Sequence, residues 1–330
     1  MASSGSATWV GIDVSKDWLD VAILPTTHTF RVPNAARGWA QVIAALTGLP
    51  TPLVVLEATG PYHQAVTLAL ATADVPVAVV NPAWIAWYRR AEGKRTKTDR
   101  TDAQLLARYA ADKQPSPTPM LSEPTRQLKD LQGLRDDLTG ELVATQNRRA
   151  TASPLVQPFL DEGIAELTSR RARVDQTIAN LLAREPTLAE RAAALTTVPG
   201  LGPTLVPGLI AHLPELGQFT AKQIASLAGV APHLRESGKF KGMAFIGGGR
   251  PAVRRILYLM ALTAVRASRT RPDGPMRVFY LQLLARGKPR TVALIAVAHK
   301  MVGIINAMLR DGLTWQETRV GQDQFLPTPP

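Results

Sequence analysis

Cysteine is absent from the 330 residues, which excludes a disulfide framework and any thiolate metal site. A metal must therefore sit on oxygen or histidine donors, and a reducing cytosol is permitted. Long uncharged apolar runs are also missing, and the leading MASSGSA carries neither a basic segment nor an apolar core of the signal-peptide kind. The expectation is a soluble cytoplasmic protein with no membrane contact. Acidic residues are scarce in one region. Between Arg235 and Lys300 there are 14 Lys and Arg against only Glu236 and Asp273, and that local excess equals the +12 of the whole chain. So concentrated an imbalance is more than solubilising charge and favours a polyanionic partner, nucleic acid above all.

The 45% hydrophobic content supports two or more cores. "TWVGIDVS", "LDVAILP" and "HTFRVPN" have the alternating, β-branched character of three strands, the first two joined by a polar turn at Lys16 and Asp17. "RGWAQVIAALTG" reads as a helix, "TPLVVLEATG" as a buried strand, "YHQAVTLALATAD" as a helix and "VPVAVVNP" as a strand, followed by a helix beginning near Asp99. An antiparallel meander that leads into parallel strands with crossover helices is the order of a ribonuclease-H-like fold. After the Pro/Ser-rich "PSPTPMLSEP", leucines from Leu128 to Leu142 and apolar residues from Leu160 to Leu181 recur every three or four positions, as in a helical hairpin or coiled coil. The remainder reads as all helical, with a polar glycine-rich loop before "RPAVRRILYLMALTAVR". The expected class is α/β plus all-α: a RuvC-like catalytic domain over residues 1–115, a coiled-coil helical insertion over 116–190, and a helical domain over 191–330.

Asp99 and Asp102 lie three apart at the start of an apolar helical pattern, so their carboxylates share one face. Converging carboxylates repel unless a cation sits between them, and an oxygen-rich site suits Mg²⁺ or Mn²⁺. Taken alone, Asp99 reads as a cap and Asp102 as a first-turn acid favoured by the helix dipole. Asp13 in the first strand and Glu57 at the end of the fourth change that weighing, because the expected order makes those strands neighbours and aims the late helix at the same strand ends. Four carboxylates around two divalent ions support phosphodiester chemistry. In the basic region Arg250, Arg254 and Arg255 open a helix, and Arg235, Lys239 and Lys241 surround Ser237 and Gly238 with groups suited to a phosphate. Gly200 and Gly202 in "VPGLGP" give a helix-hairpin-helix-like turn whose backbone can approach a phosphate, or simply a tight helix connection.

"GIDVSKDWLDVAI", "LEATGPYH", "KTDRTDAQLLARYA", "VPGLGP", "RESGKFKG" and "GGGRPAVRRILYLMAL" together resemble the DEDD transposases of the insertion-sequence one-ten family, the bridge recombinases. The resemblance covers roughly residues 8–110 and 190–310. It implies a RuvC-like domain with Asp13, Glu57, Asp99 and Asp102 as metal ligands, a coiled-coil insertion, and a transposase domain in which Ser237 is the nucleophile. It also implies a structured guide RNA, target and donor DNA as substrates, and a homo-oligomer, a dimer assembling to a tetramer. No histidine adjoins Ser237 in sequence, so the serine has to be brought to the metals in a composite site between domains or subunits. Three other readings compete. A RuvC-type junction nuclease would use water as nucleophile. An actin-like sugar kinase would need a second glycine-rich phosphate hairpin, which does not follow. A non-catalytic nucleic-acid-binding protein would have no use for four placed acids.

Overall fold

Alternation of branched apolar and small or polar residues runs through the first 60 positions, and each such run is a strand. The computed structural model describes residues 7–318 except 59, 94–98, 234–235, 238–239, 242–244 and 267–273. In it β1 (Trp9–Val14), β2 (Trp18–Leu24) and β3 (His28–Pro33) form an antiparallel meander. Ser15 closes the first turn, its Oγ accepting from the Trp18 N–H at 3.1 Å and donating to the Trp18 carbonyl at 3.0 Å. After α1 (Ala36–Leu46), β4 (Leu53–Glu57) joins β1 in parallel, and after α2 (His63–Thr72), β5 (Val77–Val80) joins β4 in parallel. The sheet order is β3-β2-β1-β4-β5, the ribonuclease-H-like arrangement expected from the element order.

The two faces of this sheet bury different helices, as the period-2 alternation requires. Val10, Ile12, Val54 and Leu56 pack with Val42 and Leu46 of α1 and Val66 and Leu70 of α2. On the other face Val55, Ala78 and Val80 pack with Ile85 of α3 (Pro82–Ala91) and with Leu105, Leu106 and Tyr109 of α4 (Asp99–Lys113). Gly11 sets how close α4 comes: a Cβ there would lie 2.1 Å from the Ala103 carbonyl oxygen and 2.3 Å from the Ala107 nitrogen. The sequence reading runs from β5 straight to the helix at Asp99, and the structure inserts α3 between them. Its start signal is Asn81, whose side chain accepts from the Ala83 N–H at 2.9 Å, with Pro82 at the first helical position.

The chain divides into two compact units, Met1–Met120 and Leu121–Pro330. The second opens with α5 (Glu123–Thr151) and α6 (Gln157–Arg184), which pair along their length with Arg135 bonded to Asp175 at 2.5 Å. Leu128, Ile178 and Leu181 of this hairpin belong to the same core as residues of the helices that follow. Those helices are α7 (Pro186–Thr196), α8 (Val206–His212), α9 (Ala221–Leu227), α10 (Pro251–Ala264), α11 (Pro275–Ala285) and α12 (Arg290–Arg310). Among the described residues α12 alone is long and apolar enough to cross a membrane, and half of its apolar window, Val297, Met301 and Ile305 included, is buried in this core. Its one buried amide, Asn306, is satisfied: Oδ1 accepts from the Gly217 N–H at 2.8 Å and Nδ2 donates to the Phe219 carbonyl at 2.9 Å.

The expectation of an all-helical C-terminal part is corrected by two short antiparallel ribbons. β6 (Pro232–His233) pairs with β9 (Phe245–Ile246), and between them in sequence β7 (Glu236–Ser237) pairs with β8 (Phe240–Lys241). The glycines of this stretch read as loop, whereas Phe240 and Phe245 set among polar residues supply the strand character.

Gly11→Ala should destabilise the first unit by about 1–3 kcal/mol through overpacking against the α4 backbone. Gly133→Ala, on the α5 surface with nothing near the added methyl, should be neutral or stabilising by up to about 1 kcal/mol. Calorimetric melting checks both, and an unchanged melting temperature for Gly11→Ala refutes the contact as described.

Candidate active site

Strand register decides which acids meet. β1 and β4 run parallel with Ile12 opposite Leu56, so Asp13 and Glu57 are the next positions on the two strands. Asp13 lies two residues beyond Gly11, and Glu57 two beyond Val55, so both side chains belong to the face covered by α4. Both are half-buried. A further acid, missed in the sequence, joins them: Asp20 of β2 lies directly opposite Asp13 in the antiparallel register. Its own cross-strand neighbour is Arg31, whose guanidinium grips the carboxylate through Nε–Oδ1 at 3.0 Å and Nη2–Oδ2 at 2.7 Å. Arg31, Asp20, Asp13 and Glu57 thus form one row across four strands. The signal was the alternation of "WLDVAIL", which puts Asp20 in phase with Ala22 on the α4 face.

Asp102 lies in the first turn of α4, immediately before the Ala103 that rests on Gly11. It is mostly buried and ion-paired with Arg89 of α3 at 2.9 Å. Arg89 is the second residue that the sequence reading missed, because α3 was not foreseen. Asp99 is the first residue of α4; the position of its side chain lies outside the described residues. Among the described residues no group of three or more His, Asp or Glu is close enough to hold a metal ion. The structure therefore brings Asp13 and Glu57 side by side and keeps Asp102 on Arg89. The donor set is oxygen throughout, which fits a hard divalent cation.

Ser237 is the last residue of β7, with its backbone paired to Phe240. Arg235 and Lys239 lie outside the described residues, and Lys241 is described only as the β8 residue facing Glu236. The three arginines near α10 have protein partners. Arg250 donates to Glu215 at 2.6 and 2.7 Å and to the His212 carbonyl at 2.9 Å. Arg254 donates to the Gly248 carbonyl at 2.8 Å, and Arg255 to Asp136 at 2.9 Å. Gly200 has φ +88, and a Cβ on it would lie 2.4 Å from the Met260 carbonyl, so contact with α10 already explains that glycine. Gly202 has open space around it.

Comparison with known proteins bears on the family of the chain. Residues 10–152 match the family profile of the DEDD transposase of IS110, and residues 192–274 match that of the transposases of the IS116/IS110/IS902 family. The pilin gene-inverting protein of Moraxella bovis is 29% identical over 314 residues, covering 92% of this chain and 96% of that protein. An insertion element IS110 protein of Streptomyces coelicolor, itself uncharacterized, is 31% identical over 50% of this chain and 39% of its own length. Among solved structures, T. thermophilus RuvC in complex with a Holliday junction substrate aligns to 34% of this chain and 99% of its own at 16% identity, with a TM-score of 0.27. The family matches define a DNA-processing enzyme of the transposase and recombinase class. The chain belongs to the IS110 family of transposases.

The Arg250–Glu215 pair gives a test of the arginine's structural part. Burial pushes the Glu215 carboxyl upward, but the hydrogen bond and charge of Arg250 outweigh it and leave the group below its ordinary value. A carboxyl depressed on folding contributes stability above its unfolded pKa and loses it as pH falls through the folded value. Arg250→Ala should cost about 2 kcal/mol at neutral pH, short of a fully buried pair because the arginine keeps some water contact. Acid unfolding should begin at a higher pH, since the carboxyl then keeps burial without its partner. An acid-unfolding midpoint equal to that of the parent protein contradicts the pairing.

Proposed function

We propose that this transposase recombines DNA through a phosphoserine intermediate formed by Ser237, with Asp13, Glu57, Asp99 and Asp102 as the acidic set. The observation that carries the reading is the register: Asp13 and Glu57 stand at adjacent positions on one sheet face in a chain of the DEDD transposase family. A divalent cation, Mg²⁺ or Mn²⁺, when held by these carboxylates, supplies charge stabilisation at the phosphate and at the leaving oxygen. The protein's own groups do the rest. The Ser237 hydroxyl loses its proton and its Oγ forms a bond to phosphorus. The P–O bond of the strand breaks, and the freed oxygen takes a proton. Attack on the phosphoserine by a hydroxyl of another strand restores the serine and joins the strands, so no phosphodiester is lost. Arg235, Lys239 and Lys241 neutralise the phosphate during both steps.

The chain's division is read accordingly as a RuvC-like catalytic domain over 1–115, a coiled-coil helical segment over 116–190 whose base joins the C-terminal core, and a transposase domain over 191–330 with its helix-hairpin-helix-like turn. We further infer a guide RNA and a homo-oligomer, a dimer assembling to a tetramer. Among the described residues no element has the form of a recognition helix for the major groove, and a basic surface suits backbone and shape contacts that hold nucleic acid without reading it. Choice of target and donor DNA is then left to base pairing with the RNA.

Ser237→Ala should abolish a denaturation-resistant protein–DNA adduct and lower recombination by about 10³-fold or more. Asp13→Asn and Glu57→Gln should abolish cleavage with the fold retained, as should a chelator on the parent protein. Normal cutting by Ser237→Ala would transfer the reaction to water as nucleophile, the junction-nuclease route.

A discrete structured RNA should copurify at low salt, and changing its unpaired loops should redirect the DNA joined. Site-specific recombination by RNase-treated protein, at the parent rate and with the same choice of site, rules the guide out.

A further inference from the structure

The helix α3 is held by one side only. Ile85 is buried against the sheet, Tyr88 meets the Tyr109 ring edge-on with centroids 5.3 Å apart and donates to Asp112, and Arg89 is bonded to Asp102. The other side carries Trp84, Trp87 and Arg90 at steps of three, neighbours along one ridge of the helix. Both indoles are left in water, 52% and 62% exposed, and they stand among exposed alanines and not among leucines or isoleucines. Two large aromatic side chains exposed together on a rigid helix form a surface that a partner covers. The charge around them says which partner. Arg90 continues the ridge of the two indoles and is itself exposed, so the ridge carries a cation beside its aromatic rings. Tryptophan and arginine also serve protein seams, but this ridge belongs to the helix that Arg89 ties to Asp102 at the acidic face, which favours nucleic acid. Aromatic rings interleaved with arginine are a means of holding unpaired bases, whose faces stack on indole while the backbone meets the cations.

We propose that Trp84 and Trp87 form a stacking platform for unpaired bases of the DNA strand processed at the acidic site. DNA is the occupant because α3 is tied directly to that site through Arg89 and Asp102, and the strand cut there is DNA. The assignment rests on the proposed function only for the place of cutting. The platform itself is a binding surface and acts without turnover. It predicts a protein that prefers single-stranded over duplex DNA at this face, and a strand opened next to the bond to be cut.

The test measures binding by the full chain in chelator, where no cleavage occurs, to fluorescein-labelled oligothymidylate, to oligouridylate, and to a DNA duplex of equal length. The double variant Trp84→Ala/Trp87→Ala should bind oligothymidylate about 10–100-fold more weakly, with unchanged salt dependence, because stacking releases no counterions. Duplex affinity and melting temperature should stay at the parent values. Trp84→Tyr/Trp87→Tyr should keep most of the affinity, since tyrosine also stacks. In the parent protein, photo-cross-links from 5-iododeoxyuridine strands should map to the two indoles. Undiminished oligothymidylate binding by the alanine variant overturns the proposal, as does loss confined to oligouridylate, which makes RNA the occupant. A changed oligomeric mass with unaltered DNA affinity makes the surface a contact between copies. Because Ser237 plays no part in this assay, a failed adduct experiment and a failed platform are separate results.

Discussion

Everything near the acids depends on the missing side chain at Gly11. With a methyl group there at 2.1 Å from the Ala103 carbonyl, α4 would have to withdraw from β1, and the Ala22–Ala103–Ala107 contact would open. Small residues on both sides allow helix backbone to rest on strand backbone. That closeness fixes the height of the first turn of α4 above the sheet, and hence of Asp102. It also lets α3 reach the same turn, because Ile85 and Tyr88 share the core that Leu105, Leu106 and Tyr109 make with the sheet. Packing of apolar and small residues is therefore what positions the charged ones, and the carboxylates contribute little to holding themselves in place.

Holding acids together in a half-buried place is an electrostatic problem that the fold solves with arginine. Two carboxylates on neighbouring strands, about 5 Å apart at an effective dielectric near 20, repel by roughly 3 kcal/mol. That is a large part of a domain's net stability of about 5–15 kcal/mol. Arg31 offsets the Asp20 charge in the row with a two-pronged grip. Arg89 does the same for Asp102. Arginine thus offsets part of the charge that the strand register and the first turn of α4 bring to this face.

How much of this could be read from the sequence varies with the physics of each part. The five strands and their order were legible because a sheet buried on both faces demands dense branched residues in short, punctuated runs, and Asp13 and Glu57 followed from that order. α3 was not, because "PAWIAWYRRA" has too few buried residues to show a helical stripe: only Ile85 is fully buried. Arg89 and the exposed indoles were lost with it. The ribbons of residues 232–246 were hidden by glycine, which marks loops and tight β-turns alike. The C-terminal arginines were legible as charge and not as partners: nothing in "RPAVRRI" tells that Arg250 answers Glu215, 35 residues earlier.

Charge count and charge availability are different quantities, and the difference bears on how a transposase handles a polyanion. The basic half of the chain commits Arg250 to Glu215, Arg254 to the Gly248 carbonyl and Arg277 to the Val265 carbonyl, all within the second unit. Such groups still contribute to the long-range field that draws nucleic acid in, because a guanidinium bonded to a carbonyl keeps its full charge. A guanidinium has five N–H donors, so those not used on these partners stay available to a phosphate. The acidic row of Asp20, Asp13 and Glu57 has the opposite sign and cannot itself draw in a polyanion. Drawing nucleic acid in from a distance and gripping a single phosphate are therefore separate demands on the same basic residues.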